Sequence, residues 1–377
     1  MSWPAEAVMV RVPATSANLG PGFDALGLAL ALHDELEVRA TRGGLSVEVS
    51  GVGADTAAAG EGHLIVRAMR AAFAAAGSQP PGLALRCVNR IPHGRGLGSS
   101  AAAIVAGVVA ARALLAGRGA PGAAEPGAGE PGDEKPGLTD AEVYALAAEI
   151  EGHPDNVAAC LVGGLTIAWL EDGGPRLVRL SPLPEIKPVV CISPNALATA
   201  QARKVLPETV RHADAATNVG RSALLVAALT AAPAVLLAAT QDLLHQPYRA
   251  PVMPDTAGLV NRLRGAGIPA VVSGAGPSVL AFPAAESSAG LGVLGSIVKE
   301  TGNGWLVSPL DVDRQGASVQ SGPPDATSSN APRKAWPGRG LGQERPGSAA
   351  SPEPQDRPSS SATHGQLSRE YRGLSWC

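Results

Sequence analysis

The stretch Pro92-His93-Gly94-Arg95-Gly96-Leu97-Gly98-Ser99-Ser100-Ala101-Ala102 decides how this chain is read. An apolar run, Leu83 to Val88, precedes it, and the Ala-rich segment AAAIVAGVVAARALLAG follows Ser100 up to Gly117. That order predicts a strand, a glycine turn and a long helix. Glycines let backbone N–H groups turn inward with no Cβ in the way. A helix start adds unpaired N–H groups and the positive end of the helix dipole. Together they make an anion cradle suited to a di- or triphosphate, with Ser99 and Ser100 placed to touch phosphate or Mg2+. The pattern is not GxxxxGK[ST], so this is no Walker A loop, and a plain glycine turn capped by serine is the competing reading.

Three other segments concentrate polar chemistry. Thr139-Asp140-Ala141-Glu142 is a capping box, and Val143, Leu146, Ala147 and Ile150 then recur with helical spacing until Gly152. At the end of that helix stand Glu149, Glu151, His153, Asp155 and Asn156, where a carboxylate can complete an oxygen-ligated Mg2+. A solvated helix end followed by an Asx-type cap explains the same residues. After a strand at Val8–Val12, Pro13 to Asp24 crowds hydroxyls, an amide and a carboxylate into one turn with Gly20 and Gly22. Such a loop suits a small polar substrate, or is a simple connection. Val271 to Leu280 reads as two short strands around SGAGPS, a hairpin.

Further strands are expected at Leu36–Ala40, Leu45–Val49, Gly164–Leu170, Pro188–Ser193 and Trp305–Leu310. Strands and helices alternate without βαβ regularity, which indicates an α+β fold with mixed or antiparallel sheets. The 377 residues are enough for two or three domains. Apolar residues make up 45% and aromatics only 3%, so the core must be packed from small aliphatics. Residues 117–137, rich in Gly, Pro and acid, read as a flexible surface insertion. From Arg314 to Cys377 aliphatic periodicity disappears and a disordered tail is expected.

Composition also excludes functions. Thirty basic against 33 acidic residues leave a net charge of −3 and no basic stripe, so no nucleic-acid partner is expected. Four cysteines lack CxxC spacing, which argues against a zinc site or a disulfide framework and fits a cytoplasmic location. The N-terminus is no secretory signal. The longest apolar stretch, Ala223–Ala239, contains Pro233, so it reads as broken buried helices and no membrane partner is expected.

PATSANLGPGFDALG, GLGSSAA, EGHPDNVAA and SGAGPS, in that order from about Val8 to Asp313, resemble the GHMP kinase superfamily and within it the homoserine kinase branch. The resemblance implies a ribosomal-protein-S5-like N-terminal domain (1–180), a ferredoxin-like C-terminal domain (181–313) and an active site between them. It implies that the loop Pro92–Ala102 holds ATP, that Ser100 or its neighbour Ser99 and either Glu151 or Glu149 reach Mg2+, and that Asn18 and Asp24 hold the amino acid. His153 and Asn156 fall on the substrate side, and Arg203 and Arg249 match arginines that bind the substrate carboxylate. The bottom-up reading agrees: a zwitterion needs a carboxylate for its ammonium and a guanidinium for its carboxylate. The implied reaction is ATP-dependent phosphorylation of the L-homoserine hydroxyl, on the route to threonine. Ser100, Glu151 and Asp24 are its implied catalytic residues, with no general base assigned. A sister kinase acting on another small alcohol, or a nucleotide-binding regulator without turnover, are the rival readings. A homodimer is one assembly open to the chain.

Overall fold

The computed structural model describes residues 3–4, 6–55, 57–117, 137–284 and 288–321. Most of the expected insertion, residues 118–136, and the tail beyond 321 lie outside the described residues.

The first sheet has seven strands. β1 (Val8–Ala17) lies antiparallel to β2 (Leu26–Thr41), which pairs on its other edge with β4 (Gly82–Asn89). β3 (Gly44–Gly51) is parallel to β4, and β5 (Leu165–Glu171) and β6 (Gly174–Leu180) extend from the start of β2. Three helices pack against this sheet, α2 (Ser99–Ala116), α3 (Asp140–Glu151) and α4 (Pro154–Val162), and α1 (Leu64–Ala75) packs on α2 and α3. α2 is apolar all round, as expected of a helix enclosed by protein. Val105, Val108 and Leu114 on it are inaccessible, so this helix, the one described segment long and apolar enough to cross a membrane, is the core of the lobe.

The second sheet is antiparallel, with the spatial order β10 (Leu306–Pro309), β7 (Val189–Ile192), β9 (Val279–Ala281), β8 (Ala270–Val272). Between its strands run α5 (Thr199–Lys204), α6 (His212–Thr230), α7 (Leu236–Ala239), α8 (Gln246–Arg249), α9 (Pro254–Gly265) and α10 (Ser288–Glu300). Numbered within the sheet, the order is 4-1-3-2, that of the split βαβ ferredoxin-like fold. α9 and α10 cover it through Leu259, Leu263, Leu294 and Val298. The break between α6 and α7 falls at Pro233, as the sequence indicates.

The first residues of the expected tail have a structure. Residues 314–321, assigned to it from composition, are ordered here. Asp313 accepts the amides of Gln315 and Gly316 and a hydrogen bond from His33 at 2.6 Å. β11 (Ser318–Ser321) then pairs antiparallel with Val8–Arg11 of β1. The last described strand thus returns to the first sheet, and that lobe is not one continuous piece of chain. The reason is tertiary: Ser318, Gln320 and Ser321 carry little strand signal, and with Val319 they are held by the open edge of β1.

Candidate active site

β1 delivers the Pro13–Asp24 segment to the junction of the two sheets, where it meets the other three motifs. Thr15 N–H donates to Leu97 O at 3.1 Å, and Thr15 Oγ1 donates to Asn156 Oδ1 at 2.8 Å. Gly274 N–H donates to Ala17 O at 3.0 Å, and Ser273 Oγ lies 2.9 Å from Ser16 Oγ and 2.7 Å from Gly96 O. The hairpin expected at Val271–Leu280 is present, and its turn is a wall of the site as well as a connection.

Asn18 and Asp24 are the two described non-glycine residues with left-handed backbone, φ 58° and 54°. Asn and Asp tolerate that region best among side-chain-bearing residues, and such strain gathers at working sites. Asn18 Oδ1 accepts the Asp24 amide at 2.9 Å, which closes the turn.

Gly94, Gly96 and Gly98 all have positive φ, and Gly98 is the N-cap of α2. A Cβ on Gly96 would collide with Ser273 O, and one on Gly98 with Thr15 Oγ1, so only glycine allows this approach. No side chain caps α2, and the amides of its first turn stay free for a ligand. Gly94, Gly96, Gly98, Ser99 and Ser100 line a cavity of about 150 Å³. His93, Ser99, Ser100 and Ala102 line an adjoining, more apolar cavity of about 290 Å³ with Leu36, Ile65 and His63. Not every residue of the expected loop faces a ligand. The Arg95 guanidinium is spent on the carbonyls of His93, Ser193 and Pro194, at 2.9 Å each. Leu97, Ala101 and Ala102 point into the core, and Pro92, Arg95, Leu97 and Ala101 line neither cavity.

The capping box of α3 forms as read: Glu142 N–H donates to Thr139 Oγ1 at 3.2 Å, and Thr139 N–H donates to Glu142 Oε2 at 2.8 Å. Gly152, in left-handed conformation, ends the helix and lets α4 start at Pro154. This elbow puts Glu151 in the cavity, where Ser100 Oγ donates to its Oε2 at 2.7 Å. Burial pushes the Glu151 carboxyl up to about 7, against the hydrogen bond from Ser100. Glu149 sits exposed two residues earlier and lines no part of the cavity, so the alternative left open for it is corrected: helical spacing turns it away. His153 and Asn156 both line the cavity, and burial, then the Arg203 charge, lower the His153 pKa.

Arg203, at the end of α5, and Arg249, at the end of α8, also line the cavity. The sequence reading has Asp24 and Arg203 facing opposite ends of a substrate. Here they face each other: Arg203 Nη2 and Nη1 donate to Asp24 Oδ1 and Oδ2 at 2.6 and 3.1 Å. The buried Arg203 Nε and Arg249 Nη2 have no partner. An unpaired buried N–H on a cation is costly, so each marks a place where an anionic group is welcome.

Three contributors escaped sequence reading. Asp155, read as a cap, is a buried lining residue whose carboxyl burial pushes up to about 6. Phe23 lies under both arginines, its ring centre 5.6 Å from Arg203 Cζ and 5.4 Å from Arg249 Cζ. His245 stacks on Phe23 at 5.1 Å. The density of PGFD and HQPYR is the signal that could have found the last two. Among the described residues no cluster of three or more His, Cys, Asp or Glu makes a metal centre by itself. Cys87, Cys160 and Cys191 are buried and unbridged.

Comparison with known proteins identifies the family. The chain matches the GHMP kinases N terminal domain over residues 63–164 and the GHMP kinases C terminal domain over 225–291. It is 52% identical over 315 residues to the homoserine kinase of Streptomyces coelicolor, covering 84% of this chain and 95% of that protein. To the homoserine kinase of Streptomyces avermitilis it is 53% identical, covering 84% and 96%. The crystal structure of homoserine kinase from Cytophaga hutchinsonii superposes with a TM-score of 0.71 at 25% identity, covering 85% of this chain and 99% of that one.

Proposed function

Because the chain belongs to the homoserine kinase family of the GHMP kinases, we propose that the cavity between its two sheets is where ATP phosphorylates the hydroxyl of L-homoserine. The product is O-phospho-L-homoserine. The observation that carries the assignment of the site is convergence. One 150 Å³ cavity combines free helix-start amides, a Ser–carboxylate pair and two arginines with unspent buried donors.

The amides of Ser99 and Ser100 hold the β- and γ-phosphates, and the adjoining 290 Å³ cavity takes the nucleoside. His63 faces that second cavity with an unpartnered, buried Nδ1. At the other end Arg249 binds the amino-acid carboxylate. Asp24 receives the ammonium while keeping Arg203 beside the transferring group. Asn18, His153 and Asn156 close the sides.

Ser100 Oγ and Glu151 fit a divalent cation: two hard oxygen donors side by side, one of them a carboxylate lacking a counter-charge. A Mg2+ held by these two residues would supply charge neutralisation to the phosphates. The substrate hydroxyl oxygen bonds to the γ-phosphorus as the bridge to ADP breaks, and the hydroxyl proton leaves to a phosphate oxygen or to water. This loose transition state needs positioning and charge neutralisation more than a strong base.

The test is ADP release from ATP with homoserine, against mevalonate and other small alcohols. Turnover with homoserine is the expected result. Equal turnover with alcohols lacking a carboxylate and an ammonium would remove the amino-acid clamp from the site.

A further inference from the structure

Arg249 heads the fully buried side chains by size, and its guanidinium is fixed from one side only. Nε donates to Ala202 O at 3.2 Å, and Nη1 donates to Gly274 O at 3.3 Å and to His245 Nδ1 at 3.1 Å. Nη2 keeps both of its hydrogens. Two of the three acceptors are backbone carbonyls, which belong to the fold. The third is a side chain chosen by the sequence.

His245 is itself fully buried. Its Nε2 lies 2.8 Å from Gly20 O and 3.2 Å from Asn18 O. Carbonyl oxygens only accept, so Nε2 carries the hydrogen. A guanidinium only donates, so Nδ1 carries the lone pair. Partners on both sides therefore select one neutral tautomer. Asp242 accepts the amides of Leu244, His245 and Gln246 at 2.9, 3.1 and 2.7 Å and lies 3.5 Å from Nε2. It fixes the turn from which His245 and Arg249, four residues apart, reach the same side. Burial favours the uncharged ring, against the opposing field of Asp242. Phe23 stacks on one face of the imidazole.

We infer that His245 is a positioning residue for the amino-acid substrate. Its Nδ1 holds the Arg249 guanidinium so that Nη2 is presented to the substrate carboxylate, while its Nε2–H holds the loop carrying Asn18. The inference deepens the proposed function and rests on it. An arginine at this position does not reach its orientation alone; an acceptor of defined tautomer, tied to the substrate loop, sets it.

Two amide replacements separate the two ring nitrogens. His245→Gln places an N–H donor near Nε2 and leaves no acceptor at Nδ1. His245→Asn places a carbonyl acceptor near Nδ1 and gives up the loop anchor. In steady-state kinetics on the full chain, His245→Gln is expected to raise KM for homoserine about tenfold or more, the scale of one hydrogen bond to a charged group. KM for ATP stays within about twofold, since no phosphate contact is touched. His245→Asn recovers most of the homoserine KM. Adding Arg249→Ala to His245→Gln costs clearly less than adding it to the wild type.

Equal effects of Gln and Asn, parallel rises in both KM values, or full additivity with Arg249→Ala would reduce His245 to a packing residue and overturn the inference. Arg249→Ala alone is the control for the underlying reading. If it leaves the homoserine KM unchanged, the carboxylate site itself is misplaced. If it raises KM while His245→Gln does not, only the role of His245 falls. Urea unfolding of both amide variants shows whether each is folded before its kinetics are read.

Discussion

Replacing Glu151 by Gln should make the free protein more stable at alkaline pH while disabling it as a kinase. Gln keeps the volume and can still accept the Ser100 hydroxyl, which now lies 2.7 Å from Oε2. What it loses is the charge. Burial raises this carboxyl from 4.5 to about 7, so the folded state resists its ionisation. The unfolded chain releases the proton near 4.5, and the folded chain holds it until about 7. Stability from this group is therefore full below the lower value, falls as pH rises between the two, and stays low above about 7. The whole displacement is worth roughly 3 kcal/mol, and solvent at the cavity mouth brings it to on the order of 1–2 kcal/mol.

Urea unfolding without nucleotide or Mg2+, at about pH 4 and pH 8, reads it directly. The variant should match wild type at the acid end and exceed it by on the order of 1–2 kcal/mol at the alkaline end. Its kcat/KM should fall by about two orders of magnitude or more, because phosphoryl transfer depends on charge neutralisation. A variant less stable than wild type at pH 8 would refute the reasoning about burial. A variant with near-normal turnover would refute the cation site.

Other expectations follow from the same geometry. Ser100→Ala should lower kcat strongly with little change in the urea midpoint, since Ser100 is exposed in the free protein; a stability loss without a kcat loss would make it a structural cap. Gly96→Ala should raise KM for ATP about tenfold, since positive φ costs a side-chain-bearing residue on the order of 1–2 kcal/mol and the new methyl meets Ser273 O; an unchanged KM would dissociate the turn from nucleotide binding. A chain ending at Asp313 should be about 1–3 kcal/mol less stable than one ending at Ala326, because only the longer one retains the β11 ladder; equal unfolding midpoints would show that strand to contribute nothing.

The sequence made the fold legible where local chemistry and tertiary structure agree. The capping box at Thr139 and the glycine run before Ser99 form at the expected place, and the Val8 strand starts there but runs on to Ala17, through five residues read as loop. It was less legible where long-range packing decides. β2 was expected only from Leu36, yet it begins at Leu26, because Leu26 to Leu30 are buried throughout and lose the alternation that marks a half-exposed strand. β6 and β11 are edge strands, each held by one neighbour, and Gly174, Pro175 and the serines of β11 weaken their local signal. In the site, Ser100, Glu151, Asn18, His153, Asn156, Arg203 and Arg249, all named from the sequence, line one cavity. The pairing of Asp24 with Arg203, and the support of Arg249 by His245, depend on contacts between residues roughly 180 and 4 apart in the chain, one too distant and one too ordinary for a motif to signal.

The most direct measurement is a crystal structure with a non-hydrolysable ATP analogue, Mg2+ and homoserine bound together. The expected result places the γ-phosphate at the amides of Ser99 and Ser100, with the homoserine carboxylate on Arg249 Nη2 and its hydroxyl facing the phosphate. A triphosphate lodged instead in the separate cavity lined by Arg112, Tyr144 and Arg179, or an amino acid that leaves Arg249 untouched, would contradict it.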